Sequence, residues 1–246
     1  MKISVVTACY NCAATIADAL ASVAAQTHPA VEHVVVDGAS SDGTWDVVRT
    51  WKASRLVACS ERDRGIYDAL NKGIARSTGD VIGFLHADDV FAGPDVLAWV
   101  AEAFADPEVD AVYGDLQYVR REDPARVVRY WRSGPFDTGL LERGWMPPHP
   151  TLYVRRALYE RLGGYDVTYR IAADYEFILR LFRTPGLRAA YIPRVMVKMR
   201  TGGASNRSLR NIARKSAEDL RALRKHRIGG VHTLVWKNVS KLRQFF

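Results

Sequence analysis

Short apolar runs alternate with longer amphipathic segments through the first half of the chain. The runs predict strands buried on both faces, and the segments, whose apolar residues recur every three or four positions, predict helices between them. Predicted strands cover residues 3–8, 31–36, 56–59, 81–85 and 111–113, and predicted helices cover residues 13–26, 45–51, 67–77 and 94–104. This order predicts an α/β domain with a mainly parallel sheet and a ligand site at the carboxyl ends of its strands.

The pattern changes in the second half. Residues 115–150 show no clear helical periodicity and are typical of a long, loop-rich and functional insertion. The later predicted elements are a strand over 151–154, a helix over 157–162, a helix from about Asp174 and an amphipathic helix over 208–226. We therefore expect a main domain over 1–200, with halves at 1–115 and 116–200, and a C-terminal segment over 201–246.

Charge is distributed unevenly along the chain. Lys and Arg total 35 and Asp and Glu total 27, giving a net charge of +8 in a composition that is ordinary for a globular protein. From Arg200 onward, twelve basic residues face only Glu218 and Asp219, so this end carries +10 and residues 1–199 carry −2. The sequence therefore predicts a nearly neutral body with a basic end.

The three cysteines, Cys9, Cys12 and Cys59, are too few for a disulfide framework, which favours a reducing, cytoplasmic setting. Cys9 and Cys12 form a C-x-x-C pair, but the chain has no second pair, so a zinc or redox site is disfavoured. The first apolar run is too short for a signal peptide, and no window approaches the ~18 apolar residues of a membrane span. We expect a soluble chain.

Polar residues gather where four of the predicted strands end. These stretches cover residues 7–11, 37–43, 61–65 and 86–89. Turns and helix caps also use Asp, Ser and Gly, but four such ends on one sheet edge favour a functional site. The dinucleotide-binding G-x-G-x-x-G, the P-loop, the hydrolase G-x-S-x-G and the zinc-binding H-E-x-x-H are all absent from the sequence.

Asp88 and Asp89 directly follow the fourth predicted strand. One or two carboxylates together with substrate phosphates suit Mg²⁺ or Mn²⁺, and such an ion would neutralise a departing diphosphate. Alternatively the pair caps the helix near residue 94, although four residues intervene. Asp37, at the end of a neighbouring strand, would accept a hydrogen bond from an N–H group of a nucleotide base.

Several motifs together resemble the family-2 glycosyltransferases of the GT-A fold. They are residues 5–11 (VVTACYN), 35–44 (VVDGASSDGT), 84–89 (FLHADD), 148–156 (PHPTLYVRR), 163–166 (GGYD) and 171–176 (IAADYE). Residues 60–73 (SERDRGIYDALNKG) are similar to the subgroup that builds bacterial exopolysaccharides and glycolipids. This resemblance over residues 1–200 implies a single Rossmann-like, mainly parallel sheet flanked by helices, with a loop-rich insertion on the acceptor side.

The resemblance also implies an inverting transfer of a sugar from a nucleoside-diphosphate-sugar to an acceptor hydroxyl, with Mg²⁺ or Mn²⁺ as cofactor. Asp88 would bind the metal and the diphosphate, with Asp89 close by. His86 stands where many relatives have the first acid of an Asp-x-Asp, so either Asp88 holds the metal alone or His86 assists as a ligand or ribose contact. The residues that would line the nucleotide-sugar pocket are Thr7, Cys9, Tyr10, Asn11, Asp37, Asp63, Arg64, Asp68, Asn71, His86, Ala87 and Asp88.

Asp174 occupies the position at which the resembled family places its general base, although the preceding residue here is Ala173. Its carboxylate would take the acceptor proton as the acceptor oxygen attacks the anomeric carbon. Asp174 also stands at the start of a predicted helix, so it would cap that helix instead of, or in addition to, acting as the base.

The acceptor side offers weaker candidates. Trp145 and Trp131 would form a platform for the acceptor or pack in the core. His149 would contact a phosphate or the acceptor, or bond to a backbone carbonyl. The Gln-x-x-Arg-Trp stretch of processive relatives is absent, which favours one transfer per acceptor.

The basic end favours a membrane surface over nucleic acid. The helix over 208–226 lacks the interleaved aromatic residues of a base-reading surface, and residues 231–246 mix apolar and basic side chains as interfacial segments do. Because lipid-linked acceptors are common in the resembled subgroup, residues 207–246 are predicted to hold a cytoplasmic enzyme against an anionic membrane. The alternative function is a non-catalytic module that binds a sugar nucleotide or glycan, which His86 and Ala173 leave open.

Overall fold

The computed structural model of the chain describes residues 1–202 and 209–240. The strands are β1 (Ile3–Cys9), β2 (Val31–Asp37), β3 (Leu56–Ser60), β4 (Val81–Phe84), β5 (Val90–Phe91), β6 (Ala111–Val119), β7 (Val127–Trp131), β8 (Tyr153–Arg155) and β9 (Ala189–Arg200). The helices are α1 (Ile16–Ala24), α2 (Thr44–Thr50), α3 (Ile66–Arg76), α4 (Val96–Ala103), α5 (Arg156–Leu162), α6 (Ala173–Phe182), α7 (Leu209–Lys225) and α8 (Val231–Ser240). Two 3₁₀ helices cover Thr138–Arg143 and His149–Thr151.

The first half of the chain forms the parallel part of the sheet. The strands lie in the order β3-β2-β1-β4, and each neighbouring pair is parallel. Every residue of β1, β2 and β4 is buried, which explains why these strands appear as largely apolar runs in the sequence. The predicted mainly parallel α/β fold is confirmed, and the bounds of these four strands agree with the prediction to within one residue.

The second half adds mixed strands that the sequence reading largely missed. The sheet continues in the order β8-β6-β9-β5, with β6 and β9 parallel, while β7 pairs with β6 as an antiparallel hairpin. Part of the region expected to be loops, residues 115–119 and 127–131, is therefore strand. Val127 and Val128 of β7 are exposed, so this hairpin has no continuous apolar run to reveal it.

The sequence pattern does not predict β9, for a different reason. Pro193 lies inside the strand, where the pairing with β6 jumps from Gly114 opposite Ile192 to Asp115 opposite Val195. A proline cannot donate a ladder hydrogen bond, and this irregularity in the register absorbs it. The strand then continues to Arg200, beside the loop that follows β4.

The C-terminal helices pack on the body rather than standing apart from it. Ala222 and Leu223 of α7 are buried in the same apolar cluster as the core side of α6. Lys237 of α8 is buried, with its Nζ 2.8 Å from Asp219 Oδ2 and 3.1 Å from the centre of the Tyr175 ring. Burial lowers the pKa of Lys237 to about 8, although the charge of Asp219 opposes the shift.

The opposite face of α8 is open and apolar. Val231, Val235, Trp236 and Val239 are each about half exposed, and Trp236 reaches 56%. Over residues 1–202 and 209–240, no helix is both long enough and apolar enough to cross a bilayer. Residues 203–208 and 241–246, which the predicted membrane-binding segment includes in part, lie outside the described residues.

A buried acid connects α6 to α7. Glu176 has a fully buried side chain, and its carboxylate lies 2.9 Å from Arg180 Nη2, 2.9 Å from Lys225 Nζ and 2.8 Å from His226 Nε2. Burial by itself would raise the pKa of Glu176, but hydrogen bonds from His226 and Lys225 outweigh it and lower the pKa to about 2. This cluster attaches α7 to α6 at Glu176, which is two residues after Asp174.

Replacing this acid is expected to destabilise the protein. Glu176→Gln removes a fully buried negative charge that Arg180, Lys225 and His226 all contact, so we expect a loss of about 3–5 kcal/mol in the free energy of unfolding, measured by urea titration. Glu160→Gln is the matched control, because Glu160 pairs with Arg156 on the exposed surface of α5 and should cost no more than about 1 kcal/mol. Equal losses in both variants would contradict the role of Glu176.

The same carboxylate makes stability depend on acid pH. Its pKa is about 2 in the folded chain against an ordinary value of 4.5, so the unfolded chain binds more protons between these values. The contribution of Glu176 is therefore complete above pH 4.5 and is lost as the pH falls toward 2. Glu176→Gln should lose less stability than the unsubstituted chain over this interval.

Candidate active site

The loops that follow the parallel strands meet at one edge of the sheet. Cys9, the last residue of β1, lies opposite Asp37 at the end of β2, and Asp37 lies opposite Ser60 at the end of β3. The loop after β4 begins one strand further along. The structure thus brings the predicted polar stretches to a common edge, as expected for parallel strands.

Three of the predicted pocket residues lie in the interior and have partners there. Thr7 Oγ1 donates to the backbone oxygen of Leu85 at 2.8 Å and lies 2.9 Å from His33 Nε2. Cys9 is buried, and both a hydrogen bond with Cys12 and burial raise the pKa of its thiol. Asp37 is fully buried, and its two carboxylate oxygens accept hydrogen bonds from Ser40 N, Ser40 Oγ, Ser60 Oγ and Cys9 Sγ.

Asp37 therefore organises the loop that follows it. The backbone N–H of Asn11 donates to Ser40 Oγ, and the Asn11 side chain accepts from Ser41 N, which ties this loop to the one after β1. Asn11 adopts a positive φ of 50°, a conformation that asparagine tolerates better than most residues. The ordered pair of loops presents Tyr10, which is 65% exposed, at the rim of the site.

Gly38 permits the close approach of Asp63 to these loops. A Cβ atom at position 38 would lie 2.4 Å from Asp63 Oδ2 and 3.3 Å from the ring of Tyr10. The other Asp63 oxygen, Oδ1, accepts from the backbone N–H of Gly65 at 2.8 Å. Tyr10, Gly38 and Asp63 consequently form one continuous wall beside Asp37.

The next two predicted residues have different roles. Asp68 accepts from both the backbone and the guanidinium of Arg64, and the Arg64 side chain is otherwise exposed to solvent. The hydrogen bond from Arg64 lowers the pKa of Asp68. Asn71, in contrast, exchanges two hydrogen bonds with the backbone of Tyr165, so it joins α3 to the acceptor half.

Asp88 and Asp89 differ sharply in their surroundings. Asp88 is half-buried, and its carboxylate accepts no hydrogen bond from the residues that the structure describes. Asp89 is buried, with Oδ1 accepting from the backbone N–H of Arg200 at 3.0 Å and Oδ2 lacking a hydrogen-bond partner within the described part of the chain. Burial and the charge of Asp88 raise the pKa of Asp89 well above its ordinary value.

Arg200 holds this loop, although in the sequence it is marked only by its positive charge. Its guanidinium donates to the backbone oxygens of Asp88 and Arg121 and to the side chain of Asp18. No local motif marks this role, because Asp18, Asp88 and Arg200 are far apart in the sequence. Ala87 is buried beneath the loop in an apolar cluster with Cys9 and Ile16.

The donors at this loop suit a divalent cation completed by substrate. Asp88 offers carboxylate oxygens, the orphaned Oδ2 of Asp89 lies in the same loop, and a half-buried imidazole is two residues before Asp88. Within the described residues, 1–202 and 209–240, no three His, Cys, Asp or Glu side chains converge closely enough to hold an ion. One or two carboxylates plus phosphate oxygens are the usual set for Mg²⁺ or Mn²⁺, so these residues fit such an ion.

The charges of both predicted chemical centres act on His86. Burial lowers its pKa, while the charges of Asp88 and Asp174 both oppose the shift. The ring of His149 lies 5.7 Å from the ring of His86, centre to centre. The two carboxylates and the two imidazoles therefore share one site, although Asp88 and Asp174 are far apart in sequence.

His149 is held firmly on the inner side of the site. Its ring stacks on Phe84 at 5.2 Å, and its Nε2 lies 2.6 Å from the hydroxyl of Tyr165. Burial lowers its pKa to about 4, against the opposing charge of Asp174, so the ring is neutral at pH 7. Of the alternatives that the sequence left open for His149, a bond to a backbone carbonyl is not the one observed.

Asp174 lies in the first turn of α6, near the site, without capping the helix. The N-cap position is Ala172, and the cap carries no side-chain hydrogen bond. Instead, the Tyr67 hydroxyl lies 3.1 Å from Asp174 Oδ1 and 2.6 Å from the backbone oxygen of Ile171. Burial and the charge of Asp174 raise the pKa of Tyr67 well above its ordinary value, so this hydroxyl remains a donor.

Trp145 belongs to the aromatic core beneath the acceptor half. Its ring lies 5.1–5.5 Å from those of Phe136, Phe182 and Tyr113, and its Nε1 donates to the backbone oxygen of Ser133. The structure thus favours packing over an acceptor platform for Trp145. Trp131 likewise packs against the second core cluster, on the other side of the sheet.

Comparisons with known proteins agree on one family. The family model described as Glycosyl transferase family 2 matches residues 4–182. A PGL/p-HBAD biosynthesis glycosyltransferase of Mycobacterium bovis BCG is 35% identical over 208 residues, which cover 82% of this chain and 78% of the relative.

Solved structures show the same fold at low identity. A mannosyltransferase of Pyrobaculum calidifontis in complex with GDP-Man and Mn²⁺ has a TM-score of 0.67 and 24% identity, over 97% of this chain and 73% of that one. S. aureus TarS in complex with UDP-GlcNAc has a TM-score of 0.68 and 19% identity, over 92% of this chain and 65% of that one.

Proposed function

This chain belongs to glycosyl transferase family 2, and from that membership we propose an inverting, metal-dependent transfer of a sugar from a nucleoside-diphosphate-sugar to a hydroxyl of a lipid-linked saccharide or glycolipid. One observation carries the proposal: a continuous set of side-chain contacts joins the loop of Asp88 to Asp174. The His86 ring, two residues before Asp88, lies 5.7 Å from the His149 ring, and His149 bonds to the Tyr165 hydroxyl. The Tyr165 ring lies 5.6 Å from that of Tyr67, whose hydroxyl contacts Asp174. A carboxylate for the leaving diphosphate and a carboxylate for the acceptor proton therefore belong to one site.

The donor would bind along the edge formed by the first three loops. Asp37 shapes the base pocket by ordering the loop after β2, and Asp63 over Gly38, with Tyr10, faces the base. Arg64, whose backbone N–H and guanidinium both bond to Asp68 and whose side chain is otherwise exposed, would contact the diphosphate. Structures that share this fold contain GDP-Man or UDP-GlcNAc, which supports a nucleotide-sugar donor.

Asp88 would hold Mg²⁺ or Mn²⁺, with Asp89 in the same loop and His86 adjacent. When bound, the ion supplies positive charge that stabilises the departing diphosphate. Arg200 keeps the backbone of this loop in place by bonding to the Asp88 carbonyl, so the free carboxylate is preorganised. The mannosyltransferase of Pyrobaculum calidifontis, solved in complex with GDP-Man and Mn²⁺, supports the metal.

Asp174 would act as the general base. Its carboxylate would receive the acceptor proton. The Tyr67 hydroxyl, which shares its one hydrogen between the Ile171 carbonyl and Asp174 Oδ1, would help to hold the carboxylate in place. Neutral His149, fixed by Phe84 and Tyr165, would lie between the base and the donor. The absence of the Gln-x-x-Arg-Trp stretch supports one transfer per acceptor.

Two measurements test this function directly. Thermal shifts with a panel of nucleoside diphosphates and their sugars, with and without Mn²⁺, should single out one base, because a ligand that binds the native state raises the melting temperature. The selected sugar should then appear in a lipid-linked product with inverted anomeric configuration, read by NMR. A retained configuration, or no metal-dependent nucleotide binding, would contradict the proposal.

The open face of α8 would place the enzyme on a cytoplasmic, anionic membrane that carries the acceptor. Val235 and Trp236 point outward, and the exposed basic residues of α7 would add attraction to anionic lipid. Lys237 takes no part in this contact, since it is buried against Asp219. The relative's place in PGL/p-HBAD biosynthesis supports a lipid-linked acceptor.

Removing the apolar side chains from this face should weaken membrane binding. We expect Val235→Ser with Trp236→Ser to lower binding to phosphatidylglycerol-containing vesicles by about tenfold or more in a flotation assay, since both side chains lose apolar burial. Val127→Ser with Val128→Ser is the matched control, because these valines are equally exposed on β7. Unchanged flotation of the α8 variant would refute the membrane contact.

A further inference from the structure

Glu218 of α7 contacts the backbone immediately before the proposed base. One carboxylate oxygen, Oε2, accepts hydrogen bonds from the backbone N–H groups of Arg170, Ile171 and Ala172 at 3.1, 2.9 and 3.0 Å. The other oxygen, Oε1, accepts from Arg170 at 3.1 Å. Three consecutive N–H groups therefore point at one acidic side chain that lies 46 to 48 residues further along the chain.

Helix α6 needs such a partner. Its N-cap residue is Ala172, which has no side-chain acceptor, and the structure shows no side-chain cap hydrogen bond from that position. The first N–H groups of a helix lack partners inside the helix and must be satisfied from elsewhere. From a distant element, Glu218 satisfies the N–H of the N-cap residue Ala172 and those of the two residues before it. Asp174 follows in the first turn of the helix.

The same segment is held from its other side by Tyr67. The Ile171 peptide N–H donates to Glu218 Oε2 at 2.9 Å, while the Ile171 carbonyl accepts from the Tyr67 hydroxyl at 2.6 Å. Tyr67 also reaches Asp174 Oδ1 at 3.1 Å. The orientation of the backbone that leads into Asp174 is therefore fixed by one group from α3 and one from α7.

Helix α7 is itself well anchored, which makes Glu218 a fixed reference point. Asp219, the next residue, is buried and bonds to Lys237 of α8, and Lys225 and His226 bond to Glu176 in α6. We propose that Glu218 is a positioning residue, which sets the geometry of the Asp174 carboxylate by binding the backbone of residues 170–172. This inference rests on the proposed role of Asp174 as the base.

The test separates catalysis from donor binding. Glu218→Ala should lower kcat for transfer by about 10- to 100-fold, because a small misplacement of a catalytic group is that costly, while the donor KM changes by less than about twofold. Glu218→Gln keeps an oxygen that accepts the same N–H groups and should restore kcat to an intermediate value. Glu160→Ala, which removes an exposed carboxylate from α5, should leave both constants unchanged.

Hydrogen exchange gives a readout that does not depend on activity. The amides of residues 170–172 should exchange faster in Glu218→Ala than in Glu160→Ala, because only the first variant removes their acceptor. If Glu218→Ala does not fold, Glu218→Gln decides: an intermediate kcat with unchanged donor KM supports positioning. Wild-type kcat in either Glu218 variant, or a loss of kcat matched by weaker donor binding, overturns it.

The Asp174→Asn variant separates failure of the proposed base from failure of the positioning role of Glu218. If Asp174→Asn transfers sugar at the wild-type rate, the proposed base itself is wrong. If Asp174→Asn is inactive while Glu218→Ala keeps the wild-type kcat and the wild-type exchange of residues 170–172, only the positioning role is wrong.

Discussion

Asp174→Asn should remove most sugar transfer while leaving the fold and donor binding intact. The substitution keeps the size of the side chain and its contact with the Tyr67 hydroxyl, but an amide cannot take the acceptor proton. General base catalysis typically contributes about 10²–10⁴-fold, so kcat should fall by that factor. The measurement is the initial rate of transfer at saturating donor and acceptor.

The control for this prediction is an Asp→Asn substitution in the first turn of another helix. Asp46 lies in the first turn of α2 and pairs with Arg49 on the surface, so Asp46→Asn removes a carboxylate from a helix start outside the site. Its kcat should match that of the unsubstituted enzyme. Wild-type transfer by Asp174→Asn, or an equal loss in Asp46→Asn, would contradict the assignment of the base.

Asp88→Asn should abolish the effect of the metal on nucleotide binding. Its carboxylate accepts no hydrogen bond from the described residues, so the change should cost little stability. A bound cation contributes several kcal/mol of charge stabilisation, so transfer should fall by about 10²–10³-fold. Titration calorimetry should show that Mn²⁺ tightens binding of the nucleoside diphosphate to the unsubstituted chain and not to Asp88→Asn.

Asp46→Asn again serves as the control, because it removes one negative charge without touching the loop after β4. The affinity of that variant for the nucleoside diphosphate should rise with Mn²⁺ as in the unsubstituted chain. Asp88→Asn with an unchanged response to Mn²⁺ would show that the metal is held elsewhere or is not required.

The sequence predicted the donor half well because its signals are local. Each parallel strand appears as an apolar run followed directly by the polar residues that it delivers to the site, as β2 is followed by Asp37. The second half was predicted less well. β7 has two exposed valines, and β9 contains Pro193, so neither strand shows the pattern of a buried one.

Residue roles were harder to predict than residue positions. Thr7 and Asn71 lie where the motifs place them, yet their polar atoms bond within the protein rather than opening toward a ligand. In the sequence, Arg200 and Glu218 are marked only by their charges within the basic C-terminal segment. Their partners are backbone groups of distant loops, and no spacing along the chain encodes such contacts.

The sequence by itself determined the fold class, the family motifs and the edge at which the acidic residues meet, because periodicity and strand ends are properties of adjacent residues. Only the tertiary structure decided what the basic C-terminal segment does within the fold. A net charge does not show which few acids in a helix face inward, whereas packing does: Glu218 meets the backbone before Asp174, and Asp219 meets the buried Lys237. Burial makes the contact between Asp219 and Lys237 specific, since a polar group removed from water must find its partner within the protein. The contact of Glu218 is specific because three consecutive N–H groups converge on one carboxylate.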